Sequence, residues 1–140
     1  MYSLIKSCRK EYLLSLAMIT IGGLIYLLYR PQDILLFQIT DYLGLNPYIT
    51  TLRNDVSIFS LPSFVINSIP AGLWTASYLL LMYCNTRTYN KITKLLITLP
   101  LPIAAIILEF MQLLGWCPGT FDLYDLICYA IPLIIFLKSI

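Results

Sequence analysis

An uncharged, apolar stretch over residues 12–29 constrains this chain more than any other feature of its sequence. A helix needs about 20 mainly apolar residues to cross the hydrocarbon core of a bilayer. The chain has 140 residues, of which 59% are hydrophobic and 11% are charged. A soluble domain carries about 25% charged residues, so this composition excludes an ordinary soluble enzyme and predicts a membrane protein.

Four stretches are apolar enough to form membrane-crossing helices. They lie at about residues 12–29, 66–84, 95–116 and 123–137. The last is short, but Lys138 can extend its side chain towards the interface. No cleavage site of small residues follows the first stretch, which is therefore interpreted as an anchor and not as a signal peptide. The prediction is an all-α, polytopic membrane helix bundle that forms one integral membrane domain over residues 1–140.

Residues 30–65, between the first two predicted spans, form the predicted extracytoplasmic segment. Its first part, residues 33–45, mixes apolar and polar side chains, and about 13 residues are too few to cross a bilayer. We therefore predict an interfacial helix there, ended by the Gly, Asn and Pro of residues 44–47. The later apolar stretch is interrupted by two prolines and is either a second interfacial piece or a re-entrant one.

The basic residues divide unequally between the two sides of the membrane. Arg30 and Arg53 lie in the predicted extracytoplasmic segment, together with several acidic residues. The other seven lie before the first span, between the second and third spans, or at the end of the chain: Lys6, Arg9, Lys10, Arg87, Lys91, Lys94 and Lys138. The positive-inside rule then predicts a cell-membrane protein with both termini in the cytoplasm. If the source is a Gram-negative bacterium, that membrane is the inner one. A net charge of +2 argues against nucleic acid as a partner.

The residue types that most often carry metal or nucleophilic chemistry are scarce. The chain has no His, which removes the commonest general base and a common zinc ligand. Its four cysteines show no Cys-x-x-Cys spacing, so we expect no disulfide framework, no metal site and no cofactor. Cys8, Cys84 and Cys128 are interpreted as small apolar residues.

Polar residues within or beside the last two predicted spans are the exception to the apolar pattern. Glu109 and Gln112 are three residues apart and project from one face of the third helix. Asp122 and Asp125 repeat that spacing at the start of the fourth. Because a short turn makes these helices antiparallel neighbours, we expect the four side chains to form one polar pocket open to the outer leaflet. Burying a charge in a bilayer is costly, which marks Glu109 as a candidate functional residue.

Each of these residues also has a structural interpretation. Asp122 can cap the last helix, and Asp125 can interact favourably with the dipole of that helix. Glu109 and Gln112 can join helices through hydrogen bonds. The carboxylates are also ligands that Mg²⁺ and Ca²⁺ accept, but the sequence contains no recognised cation-binding loop.

The C-terminal part of the chain resembles the VanZ-like family of small polytopic bacterial membrane proteins. The resemblance rests on the run Glu109-Phe-Met-Gln112 and, after a short turn, on Gly119-Thr-Phe-Asp122-Leu-Tyr-Asp125. It implies a four-span membrane domain and a site formed by the Glu, the Gln and the two Asp residues. It implies no specific activity.

The sequence departs from the family pattern at three positions near this signature. Thr120 stands where Arg is usual, and Tyr129 and Pro132 stand where Asn and Gly are typical. A Lys- and His-containing motif ahead of an earlier span is also absent. This chain would therefore be a diverged member of the family.

Two functions fit these observations best. In the first, the acidic pocket binds or modulates an amphiphile of the cell envelope, either a lipid head group or the cationic sugar of a lipophilic glycopeptide. In the second, the protein is a membrane enzyme that acts on a lipid-linked substrate with Glu109 as general acid or base. No nucleophile paired with a base supports the enzyme, and the absence of an inverted repeat argues against a transporter. The expected partners are the lipid bilayer and such an envelope molecule.

Cysteine labelling tests the predicted topology. With the native cysteines removed, a single Cys at position 41 or 53 should react with a membrane-impermeant maleimide added outside the cell. A Cys in place of Asn90 should react only after the membrane is permeabilised, because residue 90 lies in a basic loop. Labelling of position 90 in intact cells would contradict the four-span arrangement with both termini inside.

Overall fold

The computed structural model describes residues 8–31, 35–56 and 58–140, and the regular elements in these residues are helices. The helices are α1 (Arg9–Tyr29), α2 (Leu35–Tyr42), α3 (Asn46–Val56), α4 (Ser63–Asn67), α5 (Ile69–Asn85), α6 (Lys91–Thr98), α7 (Pro100–Leu113) and α8 (Leu123–Ser139). The predicted all-α class is confirmed. Lys6 and Asp33, whose charges entered the topology prediction, lie outside the described residues.

Two stretches of helix are long and apolar enough to cross a membrane. One is α1, with 21 residues, and the other is the 23-residue stretch Ser63–Asn85, in which α4 continues into α5. Large apolar side chains on α1 are exposed, among them Leu13 at 58% and Leu16 at 61%. Such exposure fits a helix that faces lipid, because water would not favour it.

The third predicted span is not one continuous helix. The helices α6 and α7 together are long and apolar enough to cross, but they are bent by 45° at a short break. The break falls at Leu99, directly before Pro100, which opens α7. Proline has no backbone N–H and its ring clashes with the carbonyl four residues earlier, so an unbroken helix over residues 95–116 was a wrong prediction. Counted as one span, the bent pair gives three candidate crossings.

The fourth predicted span corresponds to α8. This helix has 17 residues and contains Pro132. A helix of that length extends over about 25 Å, which is less than the roughly 30 Å of the hydrocarbon core. The layout of four full spans therefore stays a prediction, while two or three candidate crossings are established by length and hydropathy.

The segment between α1 and α4 folds over one end of α1. The predicted interfacial helix corresponds to α2, which ends before Gly44 at a positive φ of 68°. The helix ends at the Gly, Asn and Pro residues, as predicted, but the Asn-Pro pair also opens α3, a helix that was not predicted. Pro is tolerated there because the first-turn N–H groups have no partner within the helix. Arg53 on α3 donates from Nη1 to the carbonyl of Leu27 at 2.6 Å, which fixes α3 to α1.

The helices α1, α5 and α8 form the body of the bundle. α1 and α5 are antiparallel, because Tyr12 Oη donates to Asn85 Oδ1 at 2.9 Å at one end. At the other end, Arg30 Nη2 donates to the carbonyl of Asn67 at 3.2 Å. The start of α8 lies beside the start of α5, where a Cβ added to Gly72 would come within 3.0 Å of Cys128 Cβ. α5 and α8 therefore run in the same direction.

A buried pair of serines joins α1 to α5. Ser15 Oγ and Ser77 Oγ lie 2.6 Å apart, and each hydroxyl also lies within 3.2 Å of the other residue's carbonyl oxygen. Both side chains are almost fully buried. Two turns along α1, a Cβ on Gly22 would lie 2.7 Å from Trp74 Nε1. Small residues thus let the two helices approach closely, as is common in membrane helix pairs.

The charged residues lie at the two opposite ends of the helix bundle. The N-terminus of α1 and the C-termini of α5 and α8 share one end, which carries Arg9, Lys10, Arg87 and Lys138. The opposite end carries Arg30, Asp122 and Asp125. This distribution agrees with the one used to predict the orientation, although the orientation itself remains a prediction.

Removal of the Ser77 hydroxyl tests the helix pair. We expect Ser77→Ala to lower the free energy of unfolding by about 1 kcal/mol, since interhelical hydrogen bonds in membranes contribute about 0.6 kcal/mol on average and up to about 1.7. Denaturant unfolding in detergent micelles would measure the change. The control is Thr20→Ala, because the exposed Thr20 hydroxyl donates within α1, to the carbonyl of Leu16, and makes no hydrogen bond to another helix in the described part of the chain. Equal effects of the two substitutions would contradict a stabilising serine pair.

Candidate functional site

The turn between α7 and α8 positions the acidic residues. Asp122 is the N-cap of α8, and its Oδ1 accepts a hydrogen bond from the backbone N–H of Tyr124 at 2.8 Å. The turn contains Gly115 and Gly119, both with positive φ, at 71° and 127°. Asp122 therefore has the structural role that its sequence position allows, whatever else it does.

Glu109 lies in the last part of α7 and faces the start of α8. Its side chain is buried, with 6% exposure. Oε2 accepts a long hydrogen bond, 3.4 Å, from the backbone N–H of Asp122. Asp122 and Asp125 both lie close enough to interact electrostatically with Glu109. The structure thus brings together three of the four residues singled out in the sequence.

Gln112 occupies a different position from the three carboxylates. Its half-buried amide packs against Gly119, where an added Cβ would come within 2.6 Å of Nε2. The φ of Gly119 also disfavours any residue with a Cβ. The contact places Gln112 as a support for the turn that leads to Asp122.

Asp125 lies in the first turn of α8 and turns towards α5. Its Oδ1 is buried and has no hydrogen-bond partner among the described residues. Ser68, which is fully buried where α4 meets α5, lies beside this carboxylate. The geometry falls short of a hydrogen bond, and Ser68 Oγ is also without a partner in the described part of the chain. Ser68 and Asp125 therefore lie close enough for a hydrogen bond, but its geometry is poor. A poorly formed hydrogen bond between buried polar groups recovers only part of the cost of burying them.

A cavity of about 300 Å³ opens beside Asp125, between α1, α5 and α8. Arg30 contributes the positive charge of this cavity and interacts electrostatically with Asp125. The Arg30 guanidinium lies 5.3 Å from the ring centroid of Tyr26, and its Nε is buried without a hydrogen-bond partner among the described residues. The residues that line the cavity are Tyr26, Arg30, Asn67, Pro70, Ala71, Trp74, Thr75, Asp125 and Tyr129.

The cavity differs from the predicted acidic pocket in the residues that line it. Of the four predicted residues, Asp125 lines the cavity, while Glu109 lies behind it. The cavity also contains Arg30, which the sequence indicated only as one of two basic residues on the predicted outer side. The sequence did contain an indication of this role, because Arg30 directly follows an uncharged span. A cation at the end of a span needs either an acidic partner or contact with the polar interface of the membrane.

The carboxylates do not form a compact cation site. In the described residues, the ligand atoms of Glu109, Asp122 and Asp125 do not all lie within 4.8 Å of one another. Three potential ligands do meet this limit at the opposite end of the bundle, where Cys8, Glu11 and Cys84 come together.

Comparison of the chain with models of protein families, with curated proteins and with solved structures found no match. The resemblance to the VanZ-like family is therefore carried by the residues of its C-terminal signature alone and stays a prediction.

Proposed function

We propose that this protein is a VanZ-like membrane protein that binds the polar head of a cell-envelope amphiphile in the cavity between α1, α5 and α8. The observation that carries the proposal is the presence of Arg30 and Asp125 in the wall of one concave site, where each residue also has a buried polar atom, Arg30 Nε and Asp125 Oδ1, without a hydrogen-bond partner among the described residues. Buried polar groups usually have partners, so a polar ligand would remove an unfavourable feature of the protein alone.

The charges of the cavity favour a head group that carries both signs or an amine. Asp125 offers a carboxylate to an ammonium group, and Glu109 and Asp122 add negative potential behind it. Arg30 offers donors suited to a phosphate oxygen. A lipid head group with an amine and a phosphate fits both, and the cationic sugar of a lipophilic glycopeptide fits the carboxylates.

A second, apolar cavity supports an amphiphilic ligand. It has a volume of about 650 Å³ and lies along the same three helices. Leu14 and Met18 of α1, Leu73 of α5, and Ile131 and Phe136 of α8 contribute to its wall. Its lining suits an acyl chain, because burial of apolar surface is favourable and places no demand on polar partners.

In the proposed orientation the polar cavity lies in the outer leaflet. The bundle end that contains Arg30 and Asp125 is opposite the end rich in basic residues, and the positive-inside rule places that basic end in the cytoplasm. An envelope molecule would then reach the site from the outer leaflet without crossing the membrane.

Binding of lipids to carboxylate variants tests the proposal. Purified protein in nanodiscs would be titrated with amine-containing and amine-free phospholipids and with teicoplanin, and binding would be measured by native mass spectrometry. We expect Asp125→Asn and Glu109→Gln to weaken binding of the preferred ligand by about 10- to 100-fold, the range expected for the loss of a charge-assisted interaction.

The matched control is Asp55→Asn, which removes an exposed carboxylate from α3. It should bind as the wild type does, and all three variants should keep the helical circular dichroism spectrum. Wild-type affinity in both Asp125→Asn and Glu109→Gln would contradict the proposal. Chemical turnover of a lipid-linked ligand, lost in Glu109→Gln, would favour the enzyme with Glu109 as general acid or base.

A further inference from the structure

Three potential metal ligands meet at the basic end of the bundle, away from the polar cavity. Cys8 directly precedes α1, Glu11 lies in the first turn of α1, and Cys84 lies in the last turn of α5. The two sulfur atoms and a carboxylate oxygen all lie within 4.8 Å of one another. The hydrogen bond from Tyr12 to Asn85 holds the two helix ends together beside this cluster.

The two cysteines of the cluster are buried, and the acidic side chain between them is half-buried. Cys8 and Cys84 are only 3% and 4% exposed. Glu11 Oε2 is buried and has no hydrogen-bond partner among the described residues. A buried carboxylate oxygen without a partner is unfavourable. A bound cation would give this oxygen the partner that it lacks.

We propose that Cys8, Glu11 and Cys84 bind a thiophilic divalent cation of the Zn²⁺ class. Thiolate sulfur and carboxylate oxygen are both zinc ligands, at about 2.3 Å and 2.0–2.2 Å from the metal. The S···S and S···O pairs of a tetrahedral ion at those distances lie roughly 3.5–3.8 Å apart, which is below the 4.8 Å limit that the three atoms meet. Each cysteine that binds as a thiolate releases its proton to solvent, and the fourth position stays open to water.

The ligand set and its surroundings favour a soft cation over Mg²⁺ or Ca²⁺. Those hard ions prefer sites made entirely of oxygen, whereas two thiolates select zinc-like metals. The three ligands carry three negative charges when ionised, one more than Zn²⁺ neutralises. Arg87 interacts electrostatically with Cys84 and offsets part of this excess.

Sequence spacing concealed this site. The two cysteines are 76 positions apart, and the expectation of no metal site rested on the absence of a Cys-x-x-Cys motif. The antiparallel packing of α1 and α5 brings the residues together. The same proximity would also permit a disulfide, which is the competing outcome.

Metal titration of the reduced, full-length protein tests the proposal. Protein purified anaerobically in detergent would be titrated with Zn²⁺ against a chromophoric chelator, and with Cd²⁺ to detect thiolate-to-metal charge transfer in the ultraviolet. We expect one Zn²⁺ per chain and a Cd²⁺–thiolate band. Cys84→Ser should weaken Zn²⁺ binding by about 100-fold, and Glu11→Gln by about 10-fold, because each removes one ligand.

Two controls keep the result interpretable. Cys117→Ser changes a cysteine at the other end of the bundle, close to Met111, and should bind Zn²⁺ as the wild type does. Glu11→Gln covers the case in which Cys84→Ser fails to fold, because it leaves both sulfur atoms in place. Each of three results would overturn the proposal: no Zn²⁺ bound by the reduced protein, equal binding by Glu11→Gln and the wild type, or a Cys8–Cys84 disulfide in protein alkylated directly in membranes.

Discussion

Close contact between α1 and α5 is the constraint on which the rest of the structure depends. Lipid gives no hydrophobic driving force for helix association, so membrane helices rely on close packing and interhelical hydrogen bonds. Ser15 and Ser77 provide the hydrogen bonds, and Gly22 provides the space for Trp74. The contact sets the register of the two helices. It thereby places Arg30 beside the start of α5 at one end and joins the cysteine cluster at the other.

The polar groups at the two ends share one physical property. Each end contains buried polar atoms without hydrogen-bond partners in the described residues: Arg30 Nε, Ser68 Oγ and Asp125 Oδ1 at one, and Glu11 Oε2 at the other. In an apolar environment such atoms cost more than they do in water. Ligands that complete their hydrogen bonds or coordination would stabilise the same helix contacts that form the sites.

Local sequence predicted the helices better than it predicted the sites. Hydropathy alone was sufficient for the all-α class and for α1 and α5, because each depends on a continuous run of apolar residues. It failed at Pro100, where the third span bends, and it did not predict α3, which begins at the Asn-Pro pair that follows α2. The proximity of Glu109 to Asp122 was predictable because a short turn joins α7 to α8. The positions of Arg30 and Cys84 were not, because both depend on contacts between distant parts of the chain.

Disulfide cross-linking between α1 and α5 in native membranes tests the central helix contact most directly. In a background without native cysteines, Ser15→Cys with Ser77→Cys should form an intramolecular disulfide under mild oxidation, because the native hydroxyl oxygens lie 2.6 Å apart. Ala17→Cys with Ser77→Cys should not, because Ala17 is exposed on another face of α1. A protease site introduced between α3 and α4 would separate cross-linked from free chains on a gel. Efficient cross-linking of the Ala17 pair, or none of the Ser15 pair, would contradict the arrangement of α1 and α5 described above.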